Sequence, residues 1–226
     1  MPAPVDTSAA APRTDRPILV LGATSGIGAC VVGGALEKGL AVRGFARRAD
    51  RLPPRDGLEP VAGDARNPDD LARAVAGTRA VIYALGIKER PAMIWQNQTL
   101  FSETTAALIT AMEAAGVDRL LAVTGFGAGR SRHAMSRLER LGHGALLGRV
   151  YADKSRQEEM IVDSRLDWTI VRPVILTRGA SGHPVRVLTR PGDWRNGLIP
   201  RGDVAAYLVR AVTEGLNSRE DVVLTR

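Results

Sequence analysis

The sequence has little cysteine, histidine, lysine or aromatic character, and it has no long apolar run. Its single cysteine, Cys30, excludes an internal disulfide framework. Lying in what reads as the first helix, Cys30 is expected to be a small buried side chain. No stretch approaches the roughly 20 apolar residues that a membrane span requires, so no membrane span is expected. No metal is expected, and His133, His143 and His183 each read as loop or surface residues. Lysine occurs only at Lys38, Lys88 and Lys154, and aromatic residues make up 4% of the chain. The formal charge is +7, which invites nucleic-acid binding. Against this, the cations are almost all arginines spread among acids, with no aromatic-rich basic strand. Nucleic acid is therefore not an expected partner, although a basic face between Arg130 and Arg149 is its best support.

What is present suits an ordinary globular protein. The chain has 226 residues, 45% of them hydrophobic, enough for one well-buried domain. Residues 1–16 are rich in Ala, Pro, Ser and Thr and lack the apolar core of a secretory signal. They read as a flexible tail on a cytoplasmic protein, with a single domain over 17–226.

The stretch Ile18-Leu19-Val20-Leu21-Gly22-Ala23-Thr24-Ser25-Gly26-Ile27-Gly28 organises that domain. A short apolar run closed by glycine reads as a fully buried parallel strand, and the apolar run over 27–36 reads as a helix. Gly22 lets the chain reverse tightly, and Gly26 and Gly28 are expected to let backbone approach a pyrophosphate over the positive end of the helix. A dinucleotide suits this geometry best.

Strand and helix then alternate. Residues 40–45 read as a second strand ending in Ala46-Arg47-Arg48, with no acid at its end. An acid there would bind a free ribose 2′-hydroxyl and an arginine a 2′-phosphate, so Arg47 and Arg48 favour NADP over NAD. Residues 58–62 form a third strand, Asp64 falls where the adenine edge should lie, and Asn67 or Pro68 starts a helix. Residues 80–86 form a fourth strand ending at Gly86. A linker over 87–96 precedes a helix over 98–115 stopped by Gly116. Residues 120–123 form a fifth strand whose exit, Thr124-Gly125-Phe126-Gly127-Ala128-Gly129, reads as a loose substrate loop. Residues 131–150 mix basic residues with Met135, Leu138, Leu141, Leu146 and Leu147, which fits a lid, a subunit contact, a membrane face or a segment packed on its own domain. A helix over 151–164, a strand over 167–173 stopped by proline, a cap in about 177–200, a helix over 203–214 and a strand over 222–224 complete the chain. Trp194 suits either cap packing or substrate stacking.

Several of these motifs together resemble the atypical short-chain dehydrogenases/reductases of the NAD(P)H-binding, NmrA-like group, which includes flavin (biliverdin-IXβ) reductases. They are the glycine turn, the Arg47 strand end, Gly63-Asp64-Ala65, Ala114-Ala115-Gly116-Val117, Asp153-Lys154 and Leu166-Asp167-Trp168-Thr169-Ile170-Val171-Arg172-Pro173. The resemblance covers nearly all of the chain from Pro17. It implies an α/β Rossmann fold, a doubly wound parallel sheet with a small C-terminal substrate cap. It also implies NADP(H) lying across the strand ends. The phosphates would rest on Gly22, Thr24, Ser25, Gly26, Ile27 and Gly28, the 2′-phosphate on Arg47 and Arg48, and the adenine near Asp64 and Ala65. The cofactor would pass Ala84, Leu85 and Gly86, with its nicotinamide near Thr124, Lys154, Pro173, Val174 and Ile175.

The departures from the group bear on mechanism. Relatives with a full catalytic set carry a tyrosine four residues before the active-site lysine; if that lysine is Lys154, the position is Val150. Tyr151 comes one residue late, which on a helix turns a side chain by roughly 100°. The group's catalytic serine would fall at about Gly125, where only Thr124, one place earlier, bears a hydroxyl. Candidate catalytic residues are therefore Lys154, Thr124 and Tyr151. An acceptor that is already electrophilic, such as a flavin, a quinone or a conjugated small molecule, fits best, since positioning then does most of the work. Two alternatives remain: a non-catalytic NADP(H) sensor, and a secondary-metabolite tailoring reductase or isomerase using Tyr151 or a histidine. The sequence leaves the acceptor and the oligomeric state open.

Overall fold

The computed structural model describes residues 15–86, 99–135 and 137–226, with the stretch over 137–147 as backbone only. The tail over 1–14 and the linker over 87–96 lie outside the described residues. β1 (Ile18–Leu21) leads through the glycine turn into α1 (Gly26–Glu37), followed by β2 (Val42–Ala46) and β3 (Leu58–Ala62). Next come α2 (Pro68–Val75), β4 (Ala80–Tyr83), α3 (Leu100–Ala115), β5 (Arg119–Val123), α4 (Arg137–Asp163) and β6 (Asp167–Pro173). The C-terminal part holds β7 (Ile175–Thr177), β8 (Arg186–Leu188), β9 (Leu198–Pro200), α5 (Arg201–Glu214) and β10 (Glu220–Thr225).

Among the described residues, eight strands form one sheet in the order β3-β2-β1-β4-β5-β6-β10-β8. All neighbours run parallel except β8, which is antiparallel to β10. The apolar runs that look too continuous for an amphipathic strand are explained by burial on both faces. In β1, Ile18 and Val20 pack into one core with α1 and α5, while Leu19 and Leu21 pack into the other with α2, α3 and α4. Helix ends are set locally. The Asn67 side chain accepts from the Asp69 amide at the start of α2, and Gly116 closes α3 in the left-handed conformation.

Three expectations need correction. α4 begins at Arg137 rather than near 151, so the basic stretch before Val150 is mostly helix; Gly142 and Gly144 cost propensity, roughly 1 kcal/mol each, without ending it. Only β7 and β9 of the expected cap stand apart as a two-stranded pair, because β8 completes the edge of the main sheet. Cys30 is only partly buried, against the core between α1 and α5.

Candidate functional site

In an open parallel sheet a ligand lies beyond the carboxyl ends of the strands, where the order reverses. Here that point is the β1–β4 boundary, and the exits of β1, β4, β5 and β6 stand side by side along it.

The glycine turn is dictated by close packing. Gly22 has φ 84°, and a Cβ there would sit 2.6 Å from the Ala84 carbonyl at the β4 exit. Any side chain would push β1 and β4 apart. At Gly28 a Cβ would overlap the Gly22 carbonyl, so this glycine is needed for α1 to settle onto the turn. Gly26 has φ 59° and open space about it. The first turn of α1 contains no acid, and the Ser25 side chain makes no cap hydrogen bond. The helix end with its amides and positive dipole is thus left for an outside anion. Thr24 is partly buried, Ser25 is exposed and Ile27 is buried beneath them.

At the end of β2 the two arginines differ. Arg48 donates to both oxygens of Asp50, and the hydrogen bond holds the Asp50 carboxyl below its ordinary range. Arg47 is exposed and takes part in no ion pair among the described residues. At the β3 exit, Asp64 accepts from the Arg66 amide, its own amide donates to Asp70, and Ala65 is buried beside them. Ala84 and Leu85 are half-buried and Gly86 is exposed.

The β5 exit is buried and closely hydrogen-bonded, contrary to the loose loop expected. Residues 124–128 are buried. Thr124 and Phe126 donate their amides to the Val171 and Pro173 carbonyls of β6. The Gly127 and Gly129 amides donate to the hydroxyls of Ser131 and Ser155. Lys154, on α4, donates from Nζ to the Thr124 carbonyl at 2.6 Å and lies 5.0 Å from the Phe101 ring centre and 5.5 Å from that of Tyr151. Thr124 enters the edge through this carbonyl. Its hydroxyl, proposed from sequence as catalytic, is turned inward and donates to Glu158 Oε1 at 2.6 Å.

Tyr151 is not turned aside. Its hydroxyl lies 2.9 Å from where a Cβ on Gly125 would be, at the β5 exit. Val150, at the register position, is buried in the core between the sheet and α3. Lys154 and Tyr151 therefore meet at the edge together with Thr124. Pro173 and Val174 are buried at the β6 exit and Ile175 is exposed there. His133 and His183 are exposed, and the His143 side chain lies outside the described residues.

Sequence reasoning missed a buried cluster behind this edge. Arg172, in the middle of the sheet, donates to Glu158 on α4 and to Asp221 on β10, and Arg130 also pairs with Asp221. Burial opposes the charge on Arg172, yet the hydrogen bond and charge of Glu158 and the charge of Asp221 leave its pKa raised. Trp194 is buried with its ring near both guanidinium groups, at 5.1 Å from Arg172 and 5.7 Å from Arg130. It packs the cap to the sheet. The signal was an arginine in a central strand, next to the buried Ile170 and Val171, which requires buried acids nearby. Among the described residues no cluster of His, Cys, Asp and Glu could hold a metal, and no helix is long and apolar enough to cross a membrane.

Comparison with known proteins agrees with this geometry. A family model described as NAD(P)H-binding matches residues 22–215. A 3-beta-hydroxysteroid dehydrogenase of Mycolicibacterium neoaurum is 36% identical over 117 residues, 48% of this chain and 32% of that protein. The match thus spans about a third of that relative's length. In fold the chain is similar to ChuY, an anaerobilin reductase from Escherichia coli O157:H7, with TM-score 0.77 and 24% identity over 92% of this chain and 96% of that one. It is also similar to a short-chain dehydrogenase/reductase from Veillonella parvula in complex with NADP, with TM-score 0.76 and 17% identity over 93% and 94% of the two chains. With its glycine turn, its doubly wound sheet and a family match running from that turn into the last helix, the chain belongs to the NAD(P)H-binding family.

Proposed function

We propose that the protein is an NADPH-dependent reductase that delivers hydride to an electrophilic small molecule such as a flavin, a quinone or a conjugated compound. The observation that carries this reading is the meeting of Lys154 and Tyr151 at the β5 exit, two strands along the sheet from the glycine turn. The amides at Thr24, Ser25, Gly26 and Ile27 would hold the pyrophosphate, with Gly22 and Gly28 shaping the turn, and Arg47 the 2′-phosphate. Arg48 is occupied by Asp50. Asp64 and Ala65 would border the adenine and Ala84, Leu85 and Gly86 the middle of the cofactor, with Thr124, Lys154, Pro173, Val174 and Ile175 around the nicotinamide. Bound NADPH supplies a hydride.

The chain's own groups do the rest. Lys154, fixed by the Thr124 carbonyl, would orient a sugar hydroxyl of the bound cofactor. Buried loop residues 124–128 keep water from the β5 exit. The Tyr151 hydroxyl lies where it could give a proton to an anion developing on the acceptor, but an electrophilic acceptor needs little such help.

The test is reduced-nicotinamide absorbance followed with a panel of flavins and quinones. A steady fall is expected, abolished by Gly28→Val, whose side chain would collide with the Gly22 carbonyl. Binding of NADPH with no turnover toward any acceptor, and a partner or cofactor affinity that depends on redox state, would instead establish a sensor.

A further inference from the structure

Thr124 is clamped between two successive turns of α4. Its carbonyl accepts from Lys154 Nζ at 2.6 Å, and its hydroxyl donates to Glu158 Oε1 at 2.6 Å, four residues along the same helix. Glu158 is itself fixed: Oε1 also accepts from Arg172 Nε at 3.0 Å and Oε2 from Arg172 Nη2 at 2.7 Å. Arg172 is locked at its far end by Asp221 at 2.5 Å. Thr124, Glu158, Arg172 and Asp221 are 4%, 3%, 1% and 5% exposed. A Cβ on Gly129 would overlap Glu158 Oε2, so the glycine loop closes directly over the carboxylate.

We infer that Glu158 is a positioning residue for Lys154, acting through Thr124, with Arg172 as its buried counter-charge. The inference rests on the reading of Lys154 as a cofactor-facing residue. The Thr124 and Phe126 amides are tied to β6, which leaves the carbonyl between them to tilt about those two bonds, and the ammonium would tilt with it. With the hydroxyl tied to a carboxylate that cannot move, the carbonyl has one direction, and so has the ammonium it holds. The buried Glu158, Arg172 and Asp221 leave one negative charge over, which the exposed Arg130 balances from the surface side.

The experiment compares the affinities of the full protein for NADPH and for 2′,5′-ADP, which lacks the nicotinamide half. Glu158→Gln and Thr124→Val are each expected to weaken NADPH by about tenfold, as for a charged hydrogen bond lost, and to leave 2′,5′-ADP unchanged. Thr124→Val keeps the Glu158–Arg172 pair, so it decides the matter even where Glu158→Gln folds poorly. Asp221→Asn, which leaves the Thr124–Glu158 and Glu158–Arg172 bonds in place, should lower the melting temperature and weaken NADPH by less than about twofold. In a Lys154→Met background, Glu158→Gln should have no further effect on NADPH. Equal losses for Asp221→Asn and Glu158→Gln, or effects of Lys154→Met and Glu158→Gln that simply multiply, would overturn the inference while leaving the reading of Lys154 intact. Unchanged NADPH affinity in Lys154→Met alone would sink that reading itself, and the inference with it.

Discussion

Replacing Arg47 tests the cofactor most directly, because the structure separates it from its neighbour. Arg48 is already engaged with Asp50 at 3.1 Å, so turning it to a phosphate would break one charged contact to make another. Arg47 has no such cost to meet among the described residues. One guanidinium gripping one phosphate is a charge-assisted, bidentate contact, about 1.5–3 kcal/mol when well shielded. Arg47 is exposed, so solvent screening puts the expected value just below that range, about 1.4 kcal/mol or tenfold. Wild-type protein should therefore bind NADPH at least about tenfold more tightly than NADH in a fluorescence titration. Arg47→Ser should bring the two together, Arg47→Glu should reverse the order by adding repulsion, and Arg48→Ser should change the ratio less than about twofold. Rising salt should erode the preference, as for any exposed contact with a dianion. Equal affinities in the wild type, or an Arg48→Ser loss as large as that of Arg47→Ser, would refute the reasoning.

Tyr151→Phe should reduce turnover with a flavin or quinone by less than about fivefold, since loss of a needed general acid costs roughly 10² to 10⁴. A hundredfold drop with unchanged cofactor affinity would show that protonation is required and move the protein toward carbonyl reduction. Stability should fall in acid through Asp221. Burial raises its pKa, but the charge of Arg172 and the bond from Arg130 outweigh this and hold it below the ordinary 3.8. A depressed folded pKa means that the stabilisation is complete above the unfolded value and is lost as pH falls through the folded one. Denaturant melts should be flat in this contribution above about pH 5 and decline below about pH 4, and Asp221→Asn should flatten that decline.

The fold was legible where one local rule had no competitor. The third and sixth strands stand where the sequence puts them, at Leu58–Ala62 and Asp167–Pro173: the sixth is a buried run stopped by proline, and the third, which carries Glu59 and Pro60, is a partly exposed edge strand. Asn67 and Gly116 likewise announce their caps. The start of α4 was hidden by Gly142 and Gly144, which lower helix propensity locally but do not overrule the helix-forming residues C-terminal to them. β8 is only three residues long, Arg186–Leu188, and its place beside β10 is decided by pairing across the fold. No local pattern encodes that.

The site was legible as a set of residues but not as an arrangement, and Tyr151 shows why. Read along the chain, a tyrosine one place late and a glycine in place of a serine count as two separate defects. In space they are complementary. Moving the tyrosine one position along α4 lets Val150 fill the core beside α3 and carries the ring to the β5 exit. There the hydroxyl needs room, and the missing side chain at Gly125 provides it, with only 2.9 Å to where a Cβ would stand. A serine at 125 would press on that hydroxyl; a tyrosine at 150 would have to displace a side chain that is 6% exposed and packed in the core. Each departure thus favours the other, and the pair keeps a phenol beside Lys154 by a different route. Spacing rules assume that a side chain's register fixes its destination. Here the destination depends on what the facing strand leaves unfilled, which is a property of two segments 26 residues apart in sequence (Gly125 and Tyr151) that only the folded sheet brings together.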